Sequence, residues 1–147
     1  MQFRDEVRDS PTGHFILDVY RNGSLIERMD EPNLVVTKSK KIQAQAISGV
    51  AAYAVTQMGY GSNGANPQLT DTALTNPFYK AFDSVAYPAD NQIQFNFSLG
   101  VNDANGYTIQ EFGLVSGNTN LFARKVRLAP LVKQNDITVS GSWIITF

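Results

Sequence analysis

The segment Ile137 to Phe147 alternates Ile137, Val139, Gly141, Trp143, Ile145 and Phe147 with Thr138, Ser140, Ser142, Ile144 and Thr146. A period of two sustained over this length commits the segment to a β-strand with one face on a core. Ile93, Phe95, Phe97 and Leu99 repeat the pattern against Gln92, Gln94, Asn96 and Ser98. The runs Tyr107 to Val115 and Leu121 to Leu128 add two further strands, so the second half of the chain reads as antiparallel β. At 147 residues the chain is expected to form a single domain spanning 1–147. A chain of this size buries roughly 70% of its unfolded surface. The expected fold is mainly β, an antiparallel sandwich or a partly closed barrel, with one short helix and an N-terminal β-hairpin.

The hairpin is read from Asn22-Gly23, which separates Phe15–Tyr20 from Leu25–Met29. Asn-Gly tolerates positive φ at both central positions of a type I′ turn. The register of a two-residue turn puts Phe15, Leu17, Val19 and Ile26 on one face. Ile16, Tyr20, Leu25 and Met29 then share the other with Asp18 and Glu27. A hairpin apolar on both sides must be covered on both, either by the rest of its own domain or by another subunit; in the second case the arm and hairpin (1–30), and Leu25 and Ile26 in particular, would serve assembly. The helix is expected within Thr37 to Gly49, capped at its start by Thr37 or Ser39 and ended by Gly49, with Ile42, Ala46 and Ile47 as its apolar face. Lys38, Lys40 and Lys41 crowd its first turn, where they oppose the helix dipole. Ala51 to Met58 reads as a strand. Gly59 to Pro88 reads as a long irregular loop, a length that usually marks function or docking. Tyr60 and Tyr79 in this span join Leu25 and Ile26 as expected interface residues. A receptor-binding module would place Tyr60, Tyr79 or Tyr87 on the loop surface, and Phe78, Tyr79 and Phe82 need a place to bury.

Composition excludes several chemistries. There is no cysteine, so no disulfide framework or thiolate site can form, and the single histidine, His14, rules out a multi-histidine metal site. A net charge of -1 leaves no electrostatic footprint for nucleic acid. No stretch approaches the roughly 20 apolar residues of a spanning helix, so membrane insertion is not expected. The charged start of the chain, Met1 to Glu6, does not read as a secretory signal, so synthesis in a cytoplasm is expected, followed by retention there or release by lysis. For the same reason Asn22-Gly23-Ser24 and Asn96-Phe97-Ser98 are not expected to carry sugar.

The remaining motifs are thin. Gly59-Tyr60-Gly61-Ser62-Asn63-Gly64 fits G-x-G-x-x-G, but Pro67 and a loop follow where a nucleotide fingerprint needs a helix. His14 has Ser10, Ser24 and Asp18 nearby in sequence and no nucleophile elbow. Asp90, Asp103, Asp136 and Glu111 are the carboxylates lying among strands, and Glu111 is the informative one. Alternation places it with Tyr107 and Ile109, facing inward, where a carboxylate needs a cation. Arg124, sharing a face with Phe122 and Val126, is the expected partner on the next strand. No catalytic residue, cofactor or metal is expected.

Beyond these local readings, the order of motifs resembles small bacteriophage and prophage tail proteins of the fibre-associated or baseplate-associated kind. The resemblance runs through Asn33-Leu34-Val35-Val36-Thr37, the glycine-rich turn, Asp71-Thr72-Ala73-Leu74, Asn105-Gly106, Ile109-Gln110-Glu111-Phe112-Gly113-Leu114, Leu121-Phe122-Ala123-Arg124 and Gly141 to Phe147. It implies a virion protein of the tail tip, baseplate or fibre-attachment region that acts by rigid docking. Its partners would be copies of itself, as a trimer or hexamer, and other tail or baseplate proteins. A host-surface glycan-recognition module on the same scaffold is the alternative.

Overall fold

The computed structural model describes residues 10–147. Of the arm expected up to Gly13, residues 1–9 lie outside them, while Thr12 and Gly13 already belong to the first strand. The fold is mainly β: nine strands form one curled antiparallel sheet. They are β1 (Thr12–Arg21), β2 (Ser24–Val35), β3 (Val55–Gly61), β4 (Phe78–Ala81), β5 (Ser84–Ala86), β6 (Gln92–Leu99), β7 (Thr108–Ser116), β8 (Leu121–Val132) and β9 (Ile137–Thr146). The order across the sheet is β4-β3-β7-β8-β2-β1-β9-β6-β5. β4 and β5 form its two edges yet are consecutive in sequence, so the Phe82-Asp83 link draws the edges toward each other. The sheet curls into a half-barrel, and its two halves meet across the core.

The core between the halves follows from the period-two pattern. Phe15, Leu17, Val19, Phe97, Val139, Trp143 and Ile145 from one half meet Met58, Tyr60, Phe112 and Leu114 from the other. The Phe15 ring packs on Phe112 at 5.0 Å and edge-on against Trp143 at 4.8 Å. Trp143 satisfies its indole N–H by donating to Asn33 Oδ1 at 2.7 Å, which permits a fully buried indole.

The hairpin turns where expected, with Asn22 at φ 48° and Gly23 at φ 80°. Its face assignment needs correction. Tyr20 pairs with Leu25, but Val19 pairs with Glu27, leaving Ile26 as the extra residue of a β-bulge. Every residue of β2 beyond the bulge therefore changes face. Met29 joins the core opposite Leu17, and Ile26 leaves it.

The helix α1 spans Ser39–Ile47, with Lys38 at the N-cap and no side-chain cap from Thr37 or Ser39. Gly49 ends it with φ 86°, its N–H donating to Ala46 O. Only Ile42 of the expected apolar face is buried; Ala46 is exposed and Ile47 is 89% exposed. The strand expected from Ala51 is a 3₁₀ turn, Ala51–Tyr53, followed by β3. Gly59–Gly61 finishes β3 and is not loop, and β4 and β5 lie within the span expected to be irregular.

Candidate functional site

Three features could carry function: a buried ionic network, a charged cleft and an apolar groove.

The network fastens the 62–77 segment to the outer face of the β3-β7-β8 half. Arg124 Nε donates to Glu111 Oε1 at 2.9 Å, bringing the two sequence-selected residues together. Arg124 Nη1 reaches Asp71 Oδ2 at 3.0 Å and Nη2 reaches Asn63 O at 2.9 Å. Glu111 Oε2 accepts the backbone N–H groups of Asn63 and Thr75 at 2.8 and 2.9 Å. Asp71 in turn accepts the Gln68 N–H at 2.8 Å. Glu111 is 0% and Arg124 1% exposed, so the charges are desolvated and hydrogen-bonded together.

The pair does not face the main core, as alternation implied. The β7–β8 ladder is interrupted between Ile109 and Glu111, and Ile109 joins the main core while Glu111 turns to the segment. Phe122 is an extra residue in the same ladder, so it packs in the main core while Leu121 joins Val36, Leu74 and Val115 beneath the segment. Two glycines make the room. A Cβ at Gly61 would lie 2.6 Å from Glu111 Oε2, and one at Gly113 would lie 3.0 Å from Leu74 Cδ1. The G-x-G-x-x-G string thus serves close approach of a side chain to a strand, with no helix after it.

Tyr60 and Tyr79 depart from the surface positions expected of them. Tyr60 is 0% exposed in β3, and its hydroxyl finds no hydrogen-bond partner among the described residues. Burial first, then the charges of Asp83 and Asp103, push its pKa up. Tyr79 lies half-buried against the Leu74 cluster, its pKa raised by burial and then by Glu111. Tyr87, at 74% exposed, is the aromatic that remains on the surface.

The charged cleft opens where β2 and β8 part. They pair only at Leu34↔Arg124 and Val35↔Ala123. Beyond that junction a cleft of about 840 Å³ runs between Glu27–Leu34 on one wall and Arg124–Leu128 on the other. Lys125 Nζ bridges it to Glu31 at 2.6 Å and Arg127 Nε to Glu27 at 2.8 Å. Arg127 to Pro130 of β8 stand opposite the single residue Gln110, and this bulge throws Leu128 fully into solvent. Leu25 and Ile26 at the hairpin end are 53% and 49% exposed. Ile26 and Leu128 therefore flank the Glu27–Arg127 bridge, each next in sequence to one of its partners.

At the opposite end, where β1 begins, an apolar groove of about 430 Å³ opens between the halves, lined by Ile42, Ala46, Tyr53, Ile93, Phe95 and Phe147 among others. Sequence reasoning missed it, because its walls come from α1, the 3₁₀ turn and the ends of separate strands.

His14 pairs with Asp30 on the hairpin's outer face, 16 residues away, and neither Ser10 nor Ser24 is among its partners. Asp103 is held by Lys80 at 2.9 Å and by the Gly100 N–H at 2.7 Å, which together lower its pKa. Among the described residues no three metal-ligating side chains of the His, Cys, Asp and Glu type gather, and no helix is long and apolar enough to cross a membrane. The fold and its surfaces define a curled, half-barrel β-sheet with a docked segment, a bridged cleft and an apolar groove. No protein-family model, curated protein or solved structure matches the chain.

Proposed function

We propose that this chain is a bacteriophage virion structural protein of the tail tip, baseplate or fibre-attachment region, acting by rigid protein–protein docking and not by catalysis. The observation that carries the reading is the exposure of Leu25, Ile26 and Leu128, with Ile26 and Leu128 each next in sequence to one partner of the Glu27–Arg127 bridge. Exposed apolar side chains beside paired charges suit a docking surface. Rigidity is the second support. The Glu111–Arg124–Asp71 network ties a long segment to the sheet, so the domain can transmit a fixed geometry between neighbours.

The partners are other copies, as a trimer or hexamer, and adjoining tail or baseplate proteins; the residence is the virion. Ile26→Asp tests the reading. It should abolish assembly, read as absolute mass, while leaving the urea midpoint within experimental error of the native chain. Equal loss of assembly and folding would remove the docking assignment.

A glycan-recognition reading draws on Tyr87, whose ring stands in solvent beside Asp90 and Asn91. Aromatic faces with adjacent carboxylate and amide groups suit sugar stacking. Binding to host-surface glycan that is lost in Tyr87→Ala would favour it over docking.

A further inference from the structure

We propose that the open edge of β2 takes an extended strand of a partner protein, which adds to the sheet in the cleft between β2 and β8. The Val36 N–H donates to Phe122 O, so at the junction the even-numbered residues turn their backbone groups toward β8. By alternation, Leu34, Pro32, Asp30 and Arg28 do the same. Pro32 has no N–H to give, and β2–β8 pairing stops beside it, after Leu34↔Arg124. Its carbonyl accepts from Lys125 Nζ at 3.1 Å. Arg28 and Asp30 are left with backbone N–H and C=O groups that have no partner among the described residues, and both residues are exposed. The facing edge of β8 is bulged from Arg127 to Pro130, so β2 is the regular template.

Such a row of backbone groups is matched by another main chain in extended form. The described part of a second copy does not offer one. Its edge strands β4 and β5 are four and three residues long, and every other strand except β2 and β8 is paired on both sides. The floor of the cleft selects the guest's side chains. Lys125 lies opposite Phe112, and Glu27 and Glu31 flank Met29 on its own face, so the Glu27–Arg127 and Glu31–Lys125 bridges sit on the core side of the cleft. The guest's core-side positions therefore suit small polar residues such as Ser, Thr or Asn, which hydrogen-bond to paired charges without burying another charge. Its alternate positions face solvent. This inference names a partner for the docking reading and rests on it, but it uses the strand edge and not the exposed side chains of Leu25, Ile26 and Leu128.

The probe is a library of peptides as long as Glu27–Leu34, with Ser, Thr or Asn at alternate positions and Val, Ile or Thr between them. Binders are selected on the full chain, and amide hydrogen exchange is then followed by NMR. The expected result is a peptide that slows exchange at Arg28 and Asp30 about tenfold or more, and whose twin, N-methylated on the amides that face β2, binds about tenfold more weakly. Asp30→Pro, which removes a cleft-facing N–H, should weaken binding alike, and Asp30→Asn should not; the methylated twin gives the answer even where the proline variant does not fold. No binder, or a binder that leaves both amides exchanging as in the free chain, overturns the proposal. Protection of the two amides without peptide at every dilution assigns the cleft to the chain itself, and protection that grows with protein concentration assigns it to a second copy; either overturns the proposal. A chain that oligomerises through Ile26 yet fails these tests loses strand addition alone. A monomeric chain that passes them keeps strand addition and loses self-assembly.

Discussion

Replacing Arg124 with leucine should be the most damaging single change to this fold. The guanidinium donates to Glu111, Asp71 and Asn63 O at 2.9, 3.0 and 2.9 Å and is nearly inaccessible to water. Without it, the Glu111 carboxylate stays buried with two backbone donors and no cation. Breaking one half of a buried pair costs about 3–5 kcal/mol. At about 2–4 °C per kcal/mol for a chain near this size, the melting temperature should fall by about 6–20 °C. Urea unfolding followed by the fluorescence of Trp143, the only tryptophan, reports the loss directly. Limited proteolysis locates it, because cleavage should appear first in the 62–77 segment that the network fastens. Glu111→Gln should cost less, about 1–3 kcal/mol: three donors converge on the carboxylate, and an amide presents one acceptor oxygen to them. An Arg124→Leu chain within about 1 kcal/mol of the native one, with the segment equally resistant to protease, would refute the assignment of the network as the fastening of this segment.

Other outcomes follow from the same geometry. Tyr60→Phe removes a buried hydroxyl that has no partner among the described residues, so at neutral pH the variant should be as stable as the native chain or up to about 1 kcal/mol more stable by chemical denaturation. Because burial raises the folded pKa of Tyr60 above its unfolded value of 10.0, its neutral form contributes stability fully below pH 10.0 and loses it as pH rises further. Tyr60→Phe should therefore flatten the alkaline limb of a stability–pH profile. Asp103 has the opposite sign: its pKa is lowered from 3.8 by Lys80 and the Gly100 N–H, so its contribution is present above pH 3.8 and fades as pH falls through the folded value. Asp103→Asn should weaken that acid-induced loss, seen as a shallower low-pH limb in thermal melts. Gly61→Ala sets a Cβ 2.6 Å from Glu111 Oε2, and the overpacking should cost about 1–3 kcal/mol in the same urea assay.

Much of the architecture was legible because alternation is a direct consequence of strand geometry. Phe15, Leu17, Val19, Trp143 and Ile145 went to the core that their period demanded, and Asn22-Gly23 made its turn. What alternation cannot register is an inserted residue. The bulges at Ile26 and Phe122, and the break between Ile109 and Glu111, each change which face the following residues occupy without leaving a mark in composition. The expectation that Glu111 would meet Arg124 needed only their adjacency on neighbouring strands; the side of the sheet on which they meet required the breaks. Gly59 and Gly61 looked like turn punctuation, yet they are strand positions emptied to admit Leu74 and Glu111. Tyr60, between them, was assigned to the surface for the same reason.

The docking claim itself is tested most directly by absolute mass in solution, measured by light scattering across a concentration series for the native chain and for Ile26→Asp. A discrete trimer or hexamer that is stable to dilution, reduced to a folded monomer by the substitution, is the predicted result. A native chain that is monomeric throughout, or an oligomer that Ile26→Asp leaves intact, would contradict self-assembly through the Leu25–Ile26–Leu128 end.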